Sequence, residues 1–187
     1  VVLLVFVVVG FIRGLERSLA VTGDPNVAIV YSQGMGENLE YSSIPMKTAD
    51  LVPASVQGIK ERYGKKYVSP ELYLGTQIGV REGEEPSLGL VRGVTPAVLL
   101  VRKSVEFEKG SWPKSGEVIV GRLAATKRGV EVSELDIGSS VQIEGRTWKV
   151  SGVCSARGAA FESEIWCRLD DLQQAMKRQD LSLVAIT

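Results

Sequence analysis

The chain opens on an uninterrupted apolar segment. Residues 1–12 read VVLLVFVVVGFI and contain no charged or hydrogen-bonding side chain. From Phe11 to Leu19 apolar residues recur every four positions with charged residues between them, which is the spacing of an amphipathic helix. Gly23 is suited to a left-handed cap and Pro25 cannot extend a helix, so the pattern predicts that this helix ends near Gly23.

Twelve apolar residues are too few to cross a bilayer, which takes roughly 20 in a helix. We interpret the segment as the outer end of a transmembrane helix that continues into water as a stalk. Two alternatives stay open: the core of a signal peptide, with residues 18–20 (SLA) resembling a cleavage site, and a buried strand. Arg13, Glu16 and Arg17 place charge before that site, where processing regions are normally neutral, and this favours the helix.

β-Branched runs predict the strands of the first half. Residues 26–32, NVAIVYS, predict a first strand, and segments 67–80 and 88–101 are expected to be extended and to pair with each other. A short helix is predicted for residues 45–51, because Pro53 prevents a longer one.

Residues 57–66 between these elements are polar and basic. Here Lys60, Arg62, Lys65 and Lys66 are interleaved with the aromatic residues Tyr63 and Tyr67. Basic side chains beside aromatic rings are able to contact phosphates, but runs of this kind are more often a solvated loop or helix face, and we favour that interpretation.

From Phe107 onward, short apolar runs, glycines and turns alternate about every eight to twelve residues, which is typical of a small β-rich module. The turn Glu144–Gly145 predicts a hairpin. Gly129 is expected to end a short helix, and aspartates are expected to cap a later one. The predicted strands cover 117–120, 140–143, 147–153, 164–169 and 183–187, and the predicted helices cover 122–128 and 170–178.

Together these elements predict an α+β fold in three parts. Residues 1–23 form the end of a transmembrane helix and its stalk. Residues 24–106 are expected to form an α/β lobe of strands and short helices, incomplete by itself and continued by 182–187. Residues 107–181 are expected to form a second, small β-rich lobe.

Composition excludes several classes of function. The 187 residues, 44% of them hydrophobic, are enough for an apolar core, and 22 basic and 22 acidic side chains cancel, so no global charge attracts nucleic acid. The chain has no histidine, which removes the commonest general base and the commonest transition-metal ligand. We therefore predict that the chain is not an enzyme, and we assign no catalytic, cofactor-binding or metal-binding residue.

The cysteines and tryptophans each allow two interpretations. Cys154 and Cys167 fall on the two arms of a hairpin predicted around Ala160, so a disulfide is geometrically possible, although a pair of buried apolar thiols explains them as well. Tryptophans 112, 148 and 166 are expected to be core residues rather than the lining of a ligand pocket.

Three segments of the second half resemble a known family. They are GEVIVGRLAA at 116–125, DIGSSVQIEGRTWKVSGV at 136–153 and FESEIWCRLDDLQ at 161–173, and their order resembles the MacB-like periplasmic core domain of FtsX, MacB and LolC type ABC transporter permeases. The early segment SLAVTGDPNVAIVYSQG and the middle segment RGVTPAVLLVR resemble the same family. The chain departs from it at Ser139, where the family commonly has aspartate.

The resemblance implies that the α/β lobe at 24–106 is membrane-proximal and that the β-rich lobe at 107–181 is inserted into it. It also implies a function that involves no catalysis. It implies an extracytoplasmic domain that couples cytoplasmic ATP hydrolysis to export or other extracytoplasmic work by mechanotransmission, on the periplasmic side of the inner (plasma) membrane. The implied partners are a cytoplasmic ATP-binding subunit or domain, a second permease copy, the membrane and a periplasmic adaptor or lipoprotein, with no cofactor and no nucleic acid. The alternatives are a membrane-anchored binding module without an ATPase and, third, a secreted β-rich hydrolase.

Overall fold

The computed structural model describes residues 2–35, 38–81, 83 and 85–187 of a mixed α/β fold. A long helix, α1 (Val2–Thr22), leads into the rest of the chain and ends one residue before Gly23. Within the described ranges, no helix is long and apolar enough to cross a membrane.

The remaining elements are short helices and strands. The helices are α2 (Thr48–Ser55), α3 (Val98–Val101), α4 (Ala124–Arg128) and α5 (Leu169–Met176). The strands are β1 (Ala28–Tyr31), β2 (Ile44–Pro45), β3 (Glu61–Arg62), β4 (Lys65–Lys66), β5 (Val68–Gly79), β6 (Ser87–Val94), β7 (Glu106–Gly110), β8 (Glu117–Gly121), β9 (Ser140–Ile143), β10 (Arg146–Ser155), β11 (Ile165–Arg168), β12 (Asp180–Leu181) and β13 (Leu183–Ile186). Single 3-10 turns cover Gln33–Met35, Leu39–Tyr41, Val132–Leu135 and Ala160–Ser163.

The main sheet has nine strands and closes on itself. Its order is β1-β13-β5-β6-β11-β8-β10-β7, and β9 pairs with both β10 and β5. The path β5-β6-β11-β8-β10-β9 therefore returns to β5 as a ring of strands. The larger apolar core takes side chains from every strand of this ring, for example Leu74, Val91, Ile143 and Ile165, so it fills the interior.

A second apolar core lies on the outer side of the ring. Along β8, Val118 and Val120 belong to the first core and Ile119 to the second, because successive side chains of a strand point to opposite faces. The second core also contains Val98 of α3 and Phe161 of the turn Ala160–Ser163. These two short elements therefore cover the outer face.

Several local predictions are confirmed. Segments β5 and β6 pair antiparallel along their length, and β9 and β10 form the predicted hairpin. Its turn residues Glu144 and Gly145 have φ of 48° and 72°, as a two-residue turn between twisted strands requires. Gly129 ends α4 in the left-handed conformation, with φ 67°.

Three predictions about helices need correction. Residues 98–101 are helical, not extended, because Val98 and Val101 then fall on one buried side of a short turn. The helix predicted at 45–51 begins at Thr48 and continues past Pro53, which interrupts only its own hydrogen bond. The aspartates do not cap α5: its cap residue is Arg168, whose side chain instead bonds to Asp170.

The predicted hairpin around Ala160 is wrong, because β8 lies between β10 and β11. Cys154 and Cys167 are both buried and free, one in each of the two cores, so the disulfide alternative is wrong and the buried-thiol alternative is confirmed. Strands from both sides of the predicted boundary at residue 107 share the main sheet, as β6 pairs with β11 and β5 with β9. The division into lobes stays a prediction.

Candidate functional site

Charged side chains are buried together on the outer side of the ring. Glu71, Arg92, Arg102 and Glu164 are 0%, 4%, 7% and 1% exposed, and we call them the ionic cluster. Burying a charge is expensive unless it is paired and hydrogen-bonded, so every member needs a partner within the protein.

Strand register brings the cluster together. Arg92 on β6 lies opposite Tyr73 of β5 and beside Trp166 of β11, and Glu71 lies two residues before Tyr73 on β5. Leu72 of β5 points into the first core, and its neighbours along the strand therefore point outward to the same face as Arg92.

The hydrogen bonds within the cluster are charge-assisted. Arg92 donates Nε and Nη2 to the two oxygens of Glu164 at 2.7 and 2.8 Å, and its Nη1 to Glu71 Oε2 at 2.5 Å. Arg102 donates to both oxygens of Glu71 at 3.2 Å, and Trp166 Nε1 donates to Glu164 Oε2 at 2.8 Å. The bidentate Arg92–Glu164 pair has the geometry that fixes position as well as charge.

Aromatic rings enclose the guanidinium groups. The Arg92 guanidinium lies 4.2 Å from the ring centre of Tyr73 and 5.3 Å from that of Phe161, and the Arg102 guanidinium lies 5.1 Å from the latter. Phe161 meets Trp166 edge to face at 5.7 Å. Phe161 is thus the residue that contacts both arginines and the second core.

The electrostatics favour the charged forms of Glu71 and Arg92. Burial by itself raises the pKa of Glu71, but Arg102 and Arg92 more than offset it and hold that pKa below its ordinary value. Burial likewise opposes the charge of Arg92, yet Glu164 and Glu71 raise its pKa. Burial, followed by the charge of Glu164, raises the pKa of Tyr73 to about 12. Glu71 and Arg92 therefore stay ionised at neutral pH.

The C-terminal end of α1 docks beside this cluster. The backbone N–H of Ala160 donates to Thr22 Oγ1 at 2.9 Å, one residue before Phe161. We call the contact between Thr22 and the turn Ala160–Ser163 the helix joint. It connects the leading helix to the residue immediately before Phe161, whose ring covers both arginines.

The turn on the domain side of the helix joint is itself fixed in place. The buried carboxylate of Glu162 accepts N–H bonds from Ala156 at 2.7 Å and Gly158 at 3.1 Å, and pairs with Arg122 Nε at 3.0 Å. Burial raises the pKa of Glu162, but these donors lower it below its ordinary value. At Gly121 a side chain would collide with the backbone carbonyl of Glu162, so β8 approaches the turn at the closest distance that glycine allows.

Comparison with known proteins identifies the family. The model of the MacB-like periplasmic core domain matches residues 1–187. The chain belongs to this family. No curated protein matches the chain at a significant level.

Solved structures share the fold of this MacB-like periplasmic core domain. The periplasmic region of MacB from Actinobacillus actinomycetemcomitans superposes with a TM-score of 0.64 at 13% identity, covering 94% of this chain and 79% of that one. The extracellular domain of the noncanonic ABC-type transporter YknZ from Gram-positive bacteria gives 0.59 at 18%, covering 78% and 73%. A domain of a putative permease protein from Porphyromonas gingivalis gives 0.55 at 12%, covering 86% and 74%.

Part of the ionic cluster of this MacB-like domain can be recognised from the sequence. Arg92 is a single basic residue in the apolar run LGLVRGV, and Glu71 is a carboxylate inside a predicted strand, so both are charges in segments expected to be buried. No sequence signal joins Arg102, Glu164 and Thr22 to them. Within the described ranges, no group of His, Cys, Asp or Glu is arranged to hold a metal ion.

Two of the three tryptophans of this MacB-like domain follow the prediction of core residues, and Trp112 follows it only in part. Trp148 and Trp166 are 2% and 1% exposed. Trp112 is half-buried against the second core and also lines an open groove of 400 Å³ together with Met46 and Gln173.

Proposed function

We propose that this MacB-like periplasmic core domain is the moving extracytoplasmic part of an ABC transporter permease. The helix joint supports the proposal best, because it connects α1 to a rigid cluster within the sheet. ATP binding and hydrolysis in a cytoplasmic subunit shift the membrane segments, α1 carries that movement outward, and the domain moves as one body. The apolar stretch before Arg13 anchors α1 in the membrane.

The helix is suited to act as a lever. From Ile12 to Thr22 it rises about 15 Å without an interior proline. At the outer end of α1, the ionic cluster joins β5, β6, the residue after α3 and the residue before β11, so a force applied at Phe161 is distributed over several elements. A charged cluster of this kind has strict geometry, which resists bending at the point where the helix attaches.

The test uses the full permease assembled with its ATP-binding subunit in lipid nanodiscs. Spin labels on Arg146→Cys in the two copies of a dimer report whether the outer domains move when ATP binds. Burial raises the pKa of both native thiols, Cys154 to about 12, so the label reacts at position 146. Leu15→Pro breaks the lever, and Leu15→Ala is its matched control.

We expect Leu15→Ala to show the parent change in label distance. We expect Leu15→Pro to hydrolyse ATP with a domain that is folded but no longer moves. If the distance between labels changes equally in Leu15→Pro and Leu15→Ala, the proposed role of α1 as a lever is refuted. If no ATP-binding subunit associates with the permease, the alternative of an anchored binding module replaces the proposal, and the groove at Met46 and Trp112 is then the surface to examine for ligands.

A further inference from the structure

A short basic hairpin occupies the segment that the sequence suggests is a solvated loop or helix face. Strands β3 and β4 pair antiparallel and are joined by Tyr63 and Gly64, with φ of 52° and 72°. Tyr63 is 89% exposed, and its only described partner is the neighbouring Arg62, whose guanidinium lies 5.0 Å from the ring centre. We call residues 60–66 the basic hairpin.

The charges of the basic hairpin are unfavourable in the isolated domain. Arg62 and Lys65 lie directly opposite each other across the ladder, where like charges repel. Lys60 lies beside Lys103 of the loop after α3, and this neighbour lowers the pKa of Lys60. Among the residues that the structure describes, no carboxylate forms a salt bridge with Lys60, Arg62, Lys65 or Lys103. Asp24 lies near enough to Lys103 for that positive charge to contribute to lowering the pKa of Asp24, and Glu61 lies opposite Lys66 in the same hairpin.

The tip of the basic hairpin also departs from the residues that its backbone prefers. Two-residue turns of this type favour Asn, Asp or Gly at the first position, because a left-handed backbone is strained for other side chains. The domain contains a second turn with the same backbone, at Glu144 and Gly145, but there the carboxylate of Glu144 bonds to Thr76. Tyr63 makes no such bond to any described residue in the body of the domain, and its ring is exposed to solvent.

Strand register places the basic hairpin at the end of the sheet where the chain enters from α1. Ala28 pairs with Ile186, and Ile186 pairs with Val68, so β1 and β5 run parallel and begin at the same end of the sheet. The segment before β1 is α1, and the segment before β5 is the basic hairpin. Both therefore leave the sheet at one end, roughly 10 Å apart across two strand spacings.

The reach of the basic hairpin matches the distance to the lipid headgroups. If α1 stands perpendicular to the bilayer and Ile12 marks the edge of the hydrocarbon layer, Thr22 lies about 15 Å above that edge, and the headgroup layer fills roughly 5 to 8 Å of that height. The remaining gap is about 7 to 10 Å. From Lys60 to Tyr63 the hairpin extends about 10 Å beyond the sheet, before side-chain length is added.

We propose that the basic hairpin docks on the anionic headgroups of the membrane in which α1 is anchored. Lipid phosphates would neutralise Arg62, Lys65 and the Lys60–Lys103 pair, and an amphipathic tyrosine at the tip is suited to the interface. The docking limits how far the domain tilts about the helix joint. The inference rests on the proposed membrane anchorage.

The test places a donor dye on Gln57→Cys, an exposed residue before the hairpin, and an acceptor dye on lipid headgroups of vesicles that hold the full chain. We expect higher energy transfer in phosphatidylglycerol vesicles than in phosphatidylcholine vesicles, and a loss of the difference at high salt. In Arg62→Gln/Lys65→Gln the equilibrium constant for docking should fall about fivefold per neutralised residue.

The matched control is Arg146→Gln/Lys149→Gln in the hairpin β9–β10. That hairpin lies at the other end of β5, where Ile143 pairs with Ile78, and it should keep the parent difference between lipids. Energy transfer that does not depend on lipid charge, or an equal loss in the control, overturns the inference. Flotation of the vesicles tests the membrane anchorage separately. If the chain floats with the vesicles but its energy transfer does not depend on lipid charge, only the docking of the basic hairpin is overturned. If the chain does not float, the membrane anchorage of α1 is overturned too.

Discussion

Glu71→Gln tests whether the ionic cluster is the rigid node of the domain. The substitution keeps the shape of the side chain and removes its charge. Arg92 retains Glu164, whereas Arg102, 7% exposed, loses the carboxylate to which it donates two hydrogen bonds. Removing one partner of a buried ion pair costs about 3 to 5 kcal/mol, because the other charge is left buried without a counter-ion.

This loss of unfolding free energy is large compared with the total stability of a domain, which is about 5 to 15 kcal/mol. For a chain of this size it corresponds to a fall in Tm of roughly 6 to 20 °C. The assay is urea unfolding of the chain in mild detergent, followed by the fluorescence of the buried Trp148 and Trp166. The control is Glu106→Gln, which removes the charge from an exposed pair with Arg157 at 2.8 Å and should cost less than about 1 kcal/mol.

The contribution of Glu71 to the free energy of unfolding depends on pH, and the direction of that dependence follows from its pKa. The pKa of Glu71 is lower in the folded protein than its ordinary value of 4.5, so its contribution to stability is present above that value and is lost as the pH falls through the folded pKa. The difference in unfolding free energy between parent and Glu71→Gln should therefore narrow only in acid.

A second variant keeps the prediction testable if Glu71→Gln does not fold. Adding Arg102→Met to Glu71→Gln removes the unpaired charge and keeps apolar volume, so it should restore much of the lost stability. The reasoning is refuted if Glu71→Gln costs no more than Glu106→Gln, if the difference widens in acid, or if Arg102→Met restores nothing.

Two further predictions follow from close packing and from burial. Gly121→Ala should destabilise the domain by about 1 to 3 kcal/mol, because the added methyl group meets the carbonyl of Glu162. Gly14→Ala, which lies in open space on α1, should instead stabilise the helix by about 0.5 to 1 kcal/mol. Unfolding curves that rank the two variants in the opposite order contradict the packing described at Gly121. Cys154 and Cys167 should react with a thiol reagent at pH 8 only after unfolding, since burial raises both pKa values, and a fast reaction of the native chain would show that one of them is exposed.

Local structure was readable in the sequence wherever a few adjacent residues decide it. Gly129 and the pair Glu144–Gly145 ended a helix and formed a turn as predicted, because left-handed backbone conformations select those residues directly. The run at 98–101 was misassigned because a short apolar run fits a strand or a buried helical turn equally well.

By itself the sequence determined the strands of β5, β6, β8, β9 and β10, the absence of histidine chemistry and the resemblance to a periplasmic domain. Only the tertiary structure decided that β8 separates β10 from β11, which places Cys154 and Cys167 in different cores. It alone brought Thr22 to Ala160 and assembled the ionic cluster. The reason is physical: turns and caps depend on neighbouring residues, whereas these contacts join residues far apart in the chain and exist only once the ring of strands has closed.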